Sequence, residues 1–324
     1  MEFFRYDGKA FDFMGKSKLA ISISLVLILI SYALLATKGL NYGIDFAGGT
    51  IVQVKYDKKA PIAQMRKQLQ ANKLFKDATI TEFGSPNEVI IRTKTSSGSV
   101  SKDIGLTTKE LLKGTGNLEI RRVDIVGPKV GGELKEKGLM ALLLSIGAIL
   151  IYVAFRFEWR FAVASILALV HDVSIAMGAV SLFQIDVNLD VLAAILTLLG
   201  YSLNDTIIVF DRIREGIMKT KNQALPEIIN DSITRTLART TLTSLTTFFV
   251  VFTLFMFGGE IIHAFAFTLL VGIVVGTYSS IFVASPILMW FRFDVKKYHA
   301  KLAEKAKREA EKERMRAQYE SGVM

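Results

Sequence analysis

Two carboxylates and one guanidinium stand in stretches of this chain that are otherwise apolar, and their types and spacing could move a proton. Asp172, in the pair His171-Asp172, falls inside one apolar run; Asp205, in GYSLNDTIIVFDRIRE, falls near the end of another; Arg239, in RTLARTTLTSLTT, opens a third. At 1.5 Å per residue Asp172 would sit about 16 Å and Asp205 about 9 Å into a bilayer, with Arg239 at its edge. An Asp near the bilayer centre costs roughly 2.5 to 3.5 kcal/mol on insertion scales, so each position needs a reason. Asp205 and Arg239 fall in the same third of the membrane and are expected to pair. Burial disfavours the charged carboxylate and a guanidinium favours it, so protonating Asp205 would leave Arg239 without its partner and change how two helices pack. A static pair that fixes helix register is the alternative reading.

The neighbouring residues are unusually polar for such runs. Ser202, Asn204 and Thr206 flank Asp205, while Thr240, Thr241, Thr243, Ser244, Thr246 and Thr247 follow Arg239. Hydroxyls at this density can bond across helices or hold water, although most taken singly serve packing. His171 reads equally as a relay or as a structural partner, and His263 as an interfacial residue. Gly272 and Gly276 form a small-xxx-small face followed by Thr277, Tyr278, Ser279 and Ser280, with Pro286 placed to kink the same run.

Other chemistries drop out. The chain has no cysteine, which removes disulfides, thiolate nucleophiles and Cys-ligated metal. It carries no phosphate loop, metal-ligand cluster or nucleophile triad, so the expectation is a non-enzyme without a cofactor or metal, with protons as coupling ion. The glycine-dense Gly43-Ile-Asp-Phe-Ala-Gly-Gly49 lies outside the membrane, which argues against a nucleotide site. Net charge is +10, but residues 37–138 hold +7 of it, so the surplus does not point to nucleic acid.

The elements that must position these groups are six apolar spans among 324 residues: Leu19–Ala36, Leu139–Phe155, Phe161–Phe183, Leu189–Phe210, Thr240–Phe257 and Ile261–Phe291. Lys and Arg crowd the N-terminal segment, the loops after the second and fourth spans and the tail, and are missing from Gln184–Asn188 and Gly258–Glu260. Both termini are therefore expected in the cytoplasm. The first span lacks a cleavage site and reads as a retained anchor. The expected organisation is a cytoplasmic segment 1–18, a first span 19–36, an outer domain 37–138, five spans within 139–291 and a basic tail 292–324. That tail could lie on anionic lipid or touch a cytosolic partner, and an ordinary solvated tail reads equally well. In the outer domain Gly49–Tyr56 alternates as a strand. Pro61–Lys73 follows as a helix with Ile62, Met65 and Leu69 on one face. Ala78–Phe83 and Glu88–Lys94 are strands joined by a Gly-Ser-Pro-Asn turn. A Ser/Gly-rich loop, Ser96–Ser101, a helix around Thr107–Lys113 and a strand Leu118–Ile125 complete the order. The order β-α-β-β-α-β predicts a ferredoxin-like α+β domain on a polytopic α-helical membrane protein.

Four motifs give the chain a resemblance to the SecD/SecF family of protein-export membrane proteins, on its SecF side, within the resistance-nodulation-division superfamily. They are GIDFAGGT at Gly43–Thr50, His171-Asp172, the run from Gly200 to Glu215, and RTLARTTLTSLTT with GTYSSIFVASP between Arg235 and Pro286. The resemblance covers nearly all of the chain except the tail. It implies six spans that pair with six from SecD in a bacterial inner membrane, beside the SecYEG channel, with YajC and YidC as further partners. It implies that proton flow promotes the passage of preproteins after SecA-driven insertion. By position Asp205 and Arg239 match the family's membrane Asp and Arg, and Asp172 a recurrent Asp. Gly43, Asp45, Gly48 and Gly49 fall in the outer motif, read as a structural hinge. Two other readings remain open: half of a small-molecule exporter of the same superfamily, and a scaffold for translocon assembly that couples to no gradient.

Overall fold

A computed structural model describes residues 10–76, 78–93, 104–220, 223–291, 304 and 307–316. Helix α1 (Ser17–Thr37) leads through a one-turn helix α2 (Ile44–Ala47) into a sheet domain. Its elements are β1 (Gly49–Tyr56), α3 (Ile62–Gln70), β2 (Thr79–Phe83), β3 (Ser85–Thr93), α4 (Ile104–Leu112) and β4 (Leu118–Val126). Five more long helices follow: α5 (Pro128–Arg156), α6 (Trp159–Leu182), α7 (Leu189–Lys219), α8 (Leu225–Phe257) and α9 (Gly259–Ser279). The last of these widens into a π turn at Ser280–Ala284 and resumes as α10 (Ser285–Trp290). Six of these segments are long and apolar enough to cross a membrane, as the sequence predicts.

The sheet has the order β2-β3-β1-β4 with every neighbour antiparallel, which is the split β-α-β arrangement of the ferredoxin-like fold. Strand alternation decides its two faces. Val52, Val54, Val89 and Ile91 point to one side and are buried with Met65 and Leu69 of α3 and Ile104 and Leu112 of α4. Ile51, Gln53, Ile90 and Arg92 point to the other, and line a cavity of about 430 Å³ against Asp186, Asp190 and His263 of the helical half. The expected Gly-Ser-Pro-Asn turn shrinks to Gly84, whose φ of 68° suits glycine, and Ser85–Asn87 join β3 instead. The Ser/Gly-rich stretch Ser96–Ser101 lies outside the described residues.

Several helices outrun their apolar cores. α5 starts at Pro128 and α8 at Leu225, well before the spans expected from Leu139 and Thr240, because polar residues continue the helix where hydropathy no longer marks it. α6, α7 and α9 are buried along about half their membrane lengths, while α1, α5 and α8 leave most of their surface open. Pro286 has no amide to donate back to the preceding turn. There the helix widens into the π turn, and Ser285 Oγ donates to the Ser280 carbonyl at 3.0 Å.

Candidate functional site

Asp205 projects from the middle of α7 toward α8 and α9 and is 1% exposed. Ser244 Oγ on α8 donates to its Oδ2 at 3.1 Å, and Thr277 Oγ1 on α9 lies 2.8 Å behind Ser244. Oδ1 is buried without a partner. Among the described residues the carboxyl therefore faces one hydroxyl chain and no cation.

The expected pair with Arg239 does not form: Arg239 is exposed, and no hydrogen bond or ion pair joins it to Asp205 among the described residues. Helical geometry gives the reason. Arg239 precedes Ser244 by five positions, which turns it about 140° around α8 from the side chain that does reach Asp205. Counting along the spans gives the expectation of a shared depth, and such a count does not carry the direction around the helix. Asn204 likewise points outward.

A second polar centre lies on α6. Asp172 is wholly buried, and its Oδ2 accepts from Ser202 Oγ of α7 at 2.5 Å and from Ser279 Oγ of α9 at 2.8 Å. Its Oδ1 lies 2.8 Å from His171 Nδ1, and His171 Nε2 lies 3.1 Å from Ser24 Oγ of α1. Gly276 makes room for this centre, since a Cβ there would stand 3.1 Å from Ser202 Cβ and 3.5 Å from Asp172 Oδ2. Four helices thus converge on two residues adjacent in sequence.

Of the other hydroxyls, Thr206, Thr240 and Thr243 donate to carbonyls of their own helices, to Ser202, Thr236 and Arg239 respectively. They serve their helices rather than either centre. Ser24 went unremarked in the sequence, yet a signal was there: Ser17, Ser24 and Ser31 recur every seven residues, hence on one face of α1, and all three are buried.

The glycine-dense motif forms the joint between the two halves. Gly48 has a φ of 75°, and a Cβ there would come within 2.9 Å of Pro128 Cα. The Gly43 amide donates to the Val187 carbonyl at 3.0 Å, and a side chain at Gly43 would run into Asn188. Asp45 Oδ2 accepts from the Leu189 amide at 3.1 Å, satisfying a free N–H at the start of α7. Gly49 opens β1 with a φ of 150°. The connector from α1 is tied in this way to the α6–α7 loop and to the start of α5.

Comparison with known proteins adds sequence likeness to this geometry. The family described as "Protein export membrane protein SecD/SecF, C-terminal" matches residues 107–294, and the "SecD/SecF GG Motif" matches residues 33–60. A protein translocase subunit SecF of Helicobacter pylori is 47% identical over 99% of this chain and 99% of its own length. That of Calditerrivibrio nitroreducens is 50% identical over 86% and 92%, and that of Vibrio alginolyticus 47% over 90% and 92%. The crystal structure of SecDF, a translocon-associated membrane protein from Thermus thermophilus, is 37% identical with a TM-score of 0.78. The likeness covers 88% of this chain but only 39% of that longer one.

Proposed function

The chain belongs to the SecD/SecF family of protein-export membrane proteins as a SecF subunit of protein translocase, and from that premise we propose that it couples proton flow to preprotein translocation through Asp205. It is a multi-pass membrane protein. In this reading the termini are cytoplasmic, the sheet domain is periplasmic, and SecD supplies the other half of the complex beside SecYEG, with YajC and YidC as further partners. The chain is not an enzyme and needs no cofactor beyond the proton itself.

The observation that carries this reading is the state of Asp205, buried, among the described residues, with one hydroxyl donor, one unpartnered oxygen and no counter-charge. An isolated ionised carboxylate is very costly in such surroundings and is relieved by taking up a proton. When charged, it must find a donor or a cation. A group so placed responds to proton supply by changing what its helix packs against, which is what a gradient-driven motor needs. The outward faces support a partner bundle: Ala193, Thr197, Gly200 and Asn204 form an exposed stripe of small and polar residues along α7, and Arg239 is exposed on α8. A SecD bundle seated there would bring Arg239 an acidic or polar partner that this chain does not supply.

Reconstitution of the chain with SecD and the channel in vesicles tests the reading. Export should rise with an imposed proton gradient in the wild type and lose that rise in Asp205→Asn and Arg239→Met. Gradient-stimulated export that survives Asp205→Asn would overturn it and leave the scaffold role.

A further inference from the structure

The buried pair His171 and Asp172 takes no part in the Asp205 reading, yet its surroundings fit a proton of their own. We propose that His171 is a second proton-accepting site, separate from Asp205, and that loading it reverses the hydrogen bond joining α6 to α1.

The argument rests on donors and acceptors. Asp172 receives three contacts on two oxygens: His171 Nδ1 at 2.8 Å, Ser202 Oγ at 2.5 Å and Ser279 Oγ at 2.8 Å. Each can be a donor, which is the environment of an ionised, acceptor-only carboxylate. In the neutral ring Nδ1–H then donates to Asp172, so Nε2 carries the lone pair and accepts from Ser24 Oγ at 3.1 Å. An added proton bonds to that lone pair and breaks no covalent bond; the hydrogen bond that Ser24 donated gives way to one donated in the opposite direction. Nε2–H now donates to Ser24, whose own hydrogen turns to Tyr278 OH at 3.5 Å, and Tyr278 keeps donating to the Ala20 carbonyl at 2.7 Å. Every donor has an acceptor in both states, and the new charge lies against Asp172. Unpaired buried donors are costly, so a site that gains a proton without creating one is suited to cycling between the two forms.

The titratable groups set against the ring are Asp172 on its own helix and the Tyr278 phenol of α9, which stacks at 6.3 Å between ring centroids. α1 presents the Ser24 hydroxyl, and α7 presents Ser202 to Asp172. Among the described residues no side-chain hydrogen bond links this centre to the Asp205–Ser244–Thr277 chain, which makes the two sites separately loadable.

Loading has a mechanical address. The Ser24 contact begins a polar seam along which Tyr32 OH lies 3.1 Å from Ser174 Oγ and Ser181 Oγ donates to the Gly39 carbonyl at 2.6 Å. α1 continues through α2 into β1, so the proton on His171 acts on the helix that carries the sheet domain.

The test is an imidazole titration of the full chain, labelled with 15N-histidine and held in lipid nanodiscs. The chain has three histidines, and His171→Gln assigns the signal. The His171 ring should pass reversibly between neutral and doubly protonated forms as the bulk pH is stepped down and back up in the wild type. The step should persist in Asp205→Asn and in Ser244→Ala, and Ser24→Ala should move its midpoint by about half a pH unit or more. A ring locked in one form, a step that vanishes with Asp205→Asn and Ser244→Ala, or a midpoint indifferent to Ser24→Ala would each overturn the proposal. The readout needs no export, so its failure and that of the Asp205 reading are told apart.

Discussion

Ser244 Oγ on α8 lies 3.1 Å from Asp205 Oδ2 on α7, and among the described residues it is the side chain that meets this carboxyl. The contact joins two helices through a single hydroxyl. Its removal in Ser244→Ala leaves both oxygens of a buried acid unpartnered, at a cost of about 1 to 3 kcal/mol. In a double-mutant cycle with Asp205→Asn, followed by denaturant unfolding in detergent, the coupling should exceed about 0.5 kcal/mol. Strict additivity would mean that the hydroxyl does not hold Asp205.

Gly48 joins two demands that act together, a left-handed φ of 75° and a backbone approach to Pro128 Cα that would leave a Cβ only 2.9 Å of room. Gly39 has a similar φ of 69° but open space around it. Alanine at either position should therefore cost the conformational strain of about 1 to 3 kcal/mol, and Gly48→Ala should cost more because Pro128 belongs to the helix start and cannot swing aside. Melting temperatures of the two variants measure the difference. Equal losses would show that the approach to α5 is slack.

The N-terminal segment is fastened to α8 by Asp12, Asn230 and Thr234, whose Oγ1 accepts from the Phe11 amide at 3.0 Å. Asp12 Oδ1 accepts from the Gly15 amide at 2.8 Å and from Asn230 Nδ2 at 3.0 Å, and Asn230 Oδ1 accepts from the Phe13 and Met14 amides. The Gly15 amide first, and Asn230 second, hold the Asp12 carboxyl below its ordinary value. A depressed carboxyl stabilises the folded form above the unfolded value and loses that contribution as pH falls through the folded one. Hydrogen-exchange protection of the Phe13, Met14 and Gly15 amides, corrected for intrinsic rate, should drop between about pH 5 and 2. Asn230→Ala should lower it at every pH. Protection that ignores acid would place the fastening elsewhere.

The sheet domain was readable because its signals are local. Strand alternation at Gly49–Tyr56 and the face of Met65 and Leu69 each follow from a period within one element, and the order of elements then determines the fold. Where each charged group falls along its helix was readable for the same reason, from counting residues. The partners of the charged groups were not, since they depend on rotation about helix axes that no single span encodes. Asp205 and Arg239 were expected at one depth, yet Arg239 is turned away around α8, while Asp172 found Ser279 from a helix more than a hundred residues away. The seven-residue recurrence of Ser17, Ser24 and Ser31 is the exception, a local period that announces a distant neighbour.

That recurrence can be tested at its tightest point. A Cβ built on Gly178 of α6 would overlap the Ser31 side chain and stand 2.7 Å from Ser31 Cα, so α1 and α6 touch backbone to backbone there. Small residues are what permit such an approach between membrane helices. Gly178→Ala must push α1 outward, stretching the Tyr32–Ser174 and His171–Ser24 contacts made by the preceding turns of α6. Overpacking of this kind costs about 1 to 3 kcal/mol. Gly147 on α5 is the control, with nothing within 4 Å of its Cβ position. Gly147→Ala should be neutral or stabilising by up to about 1 kcal/mol, since alanine suits a helix interior better than glycine. A second substitution, Ser31→Gly, vacates the space and should restore part of what Gly178→Ala loses, and unfolding midpoints of the four chains decide the matter. If Gly178→Ala melts like Gly147→Ala, the close seam between α1 and α6 is not what holds the first helix in place.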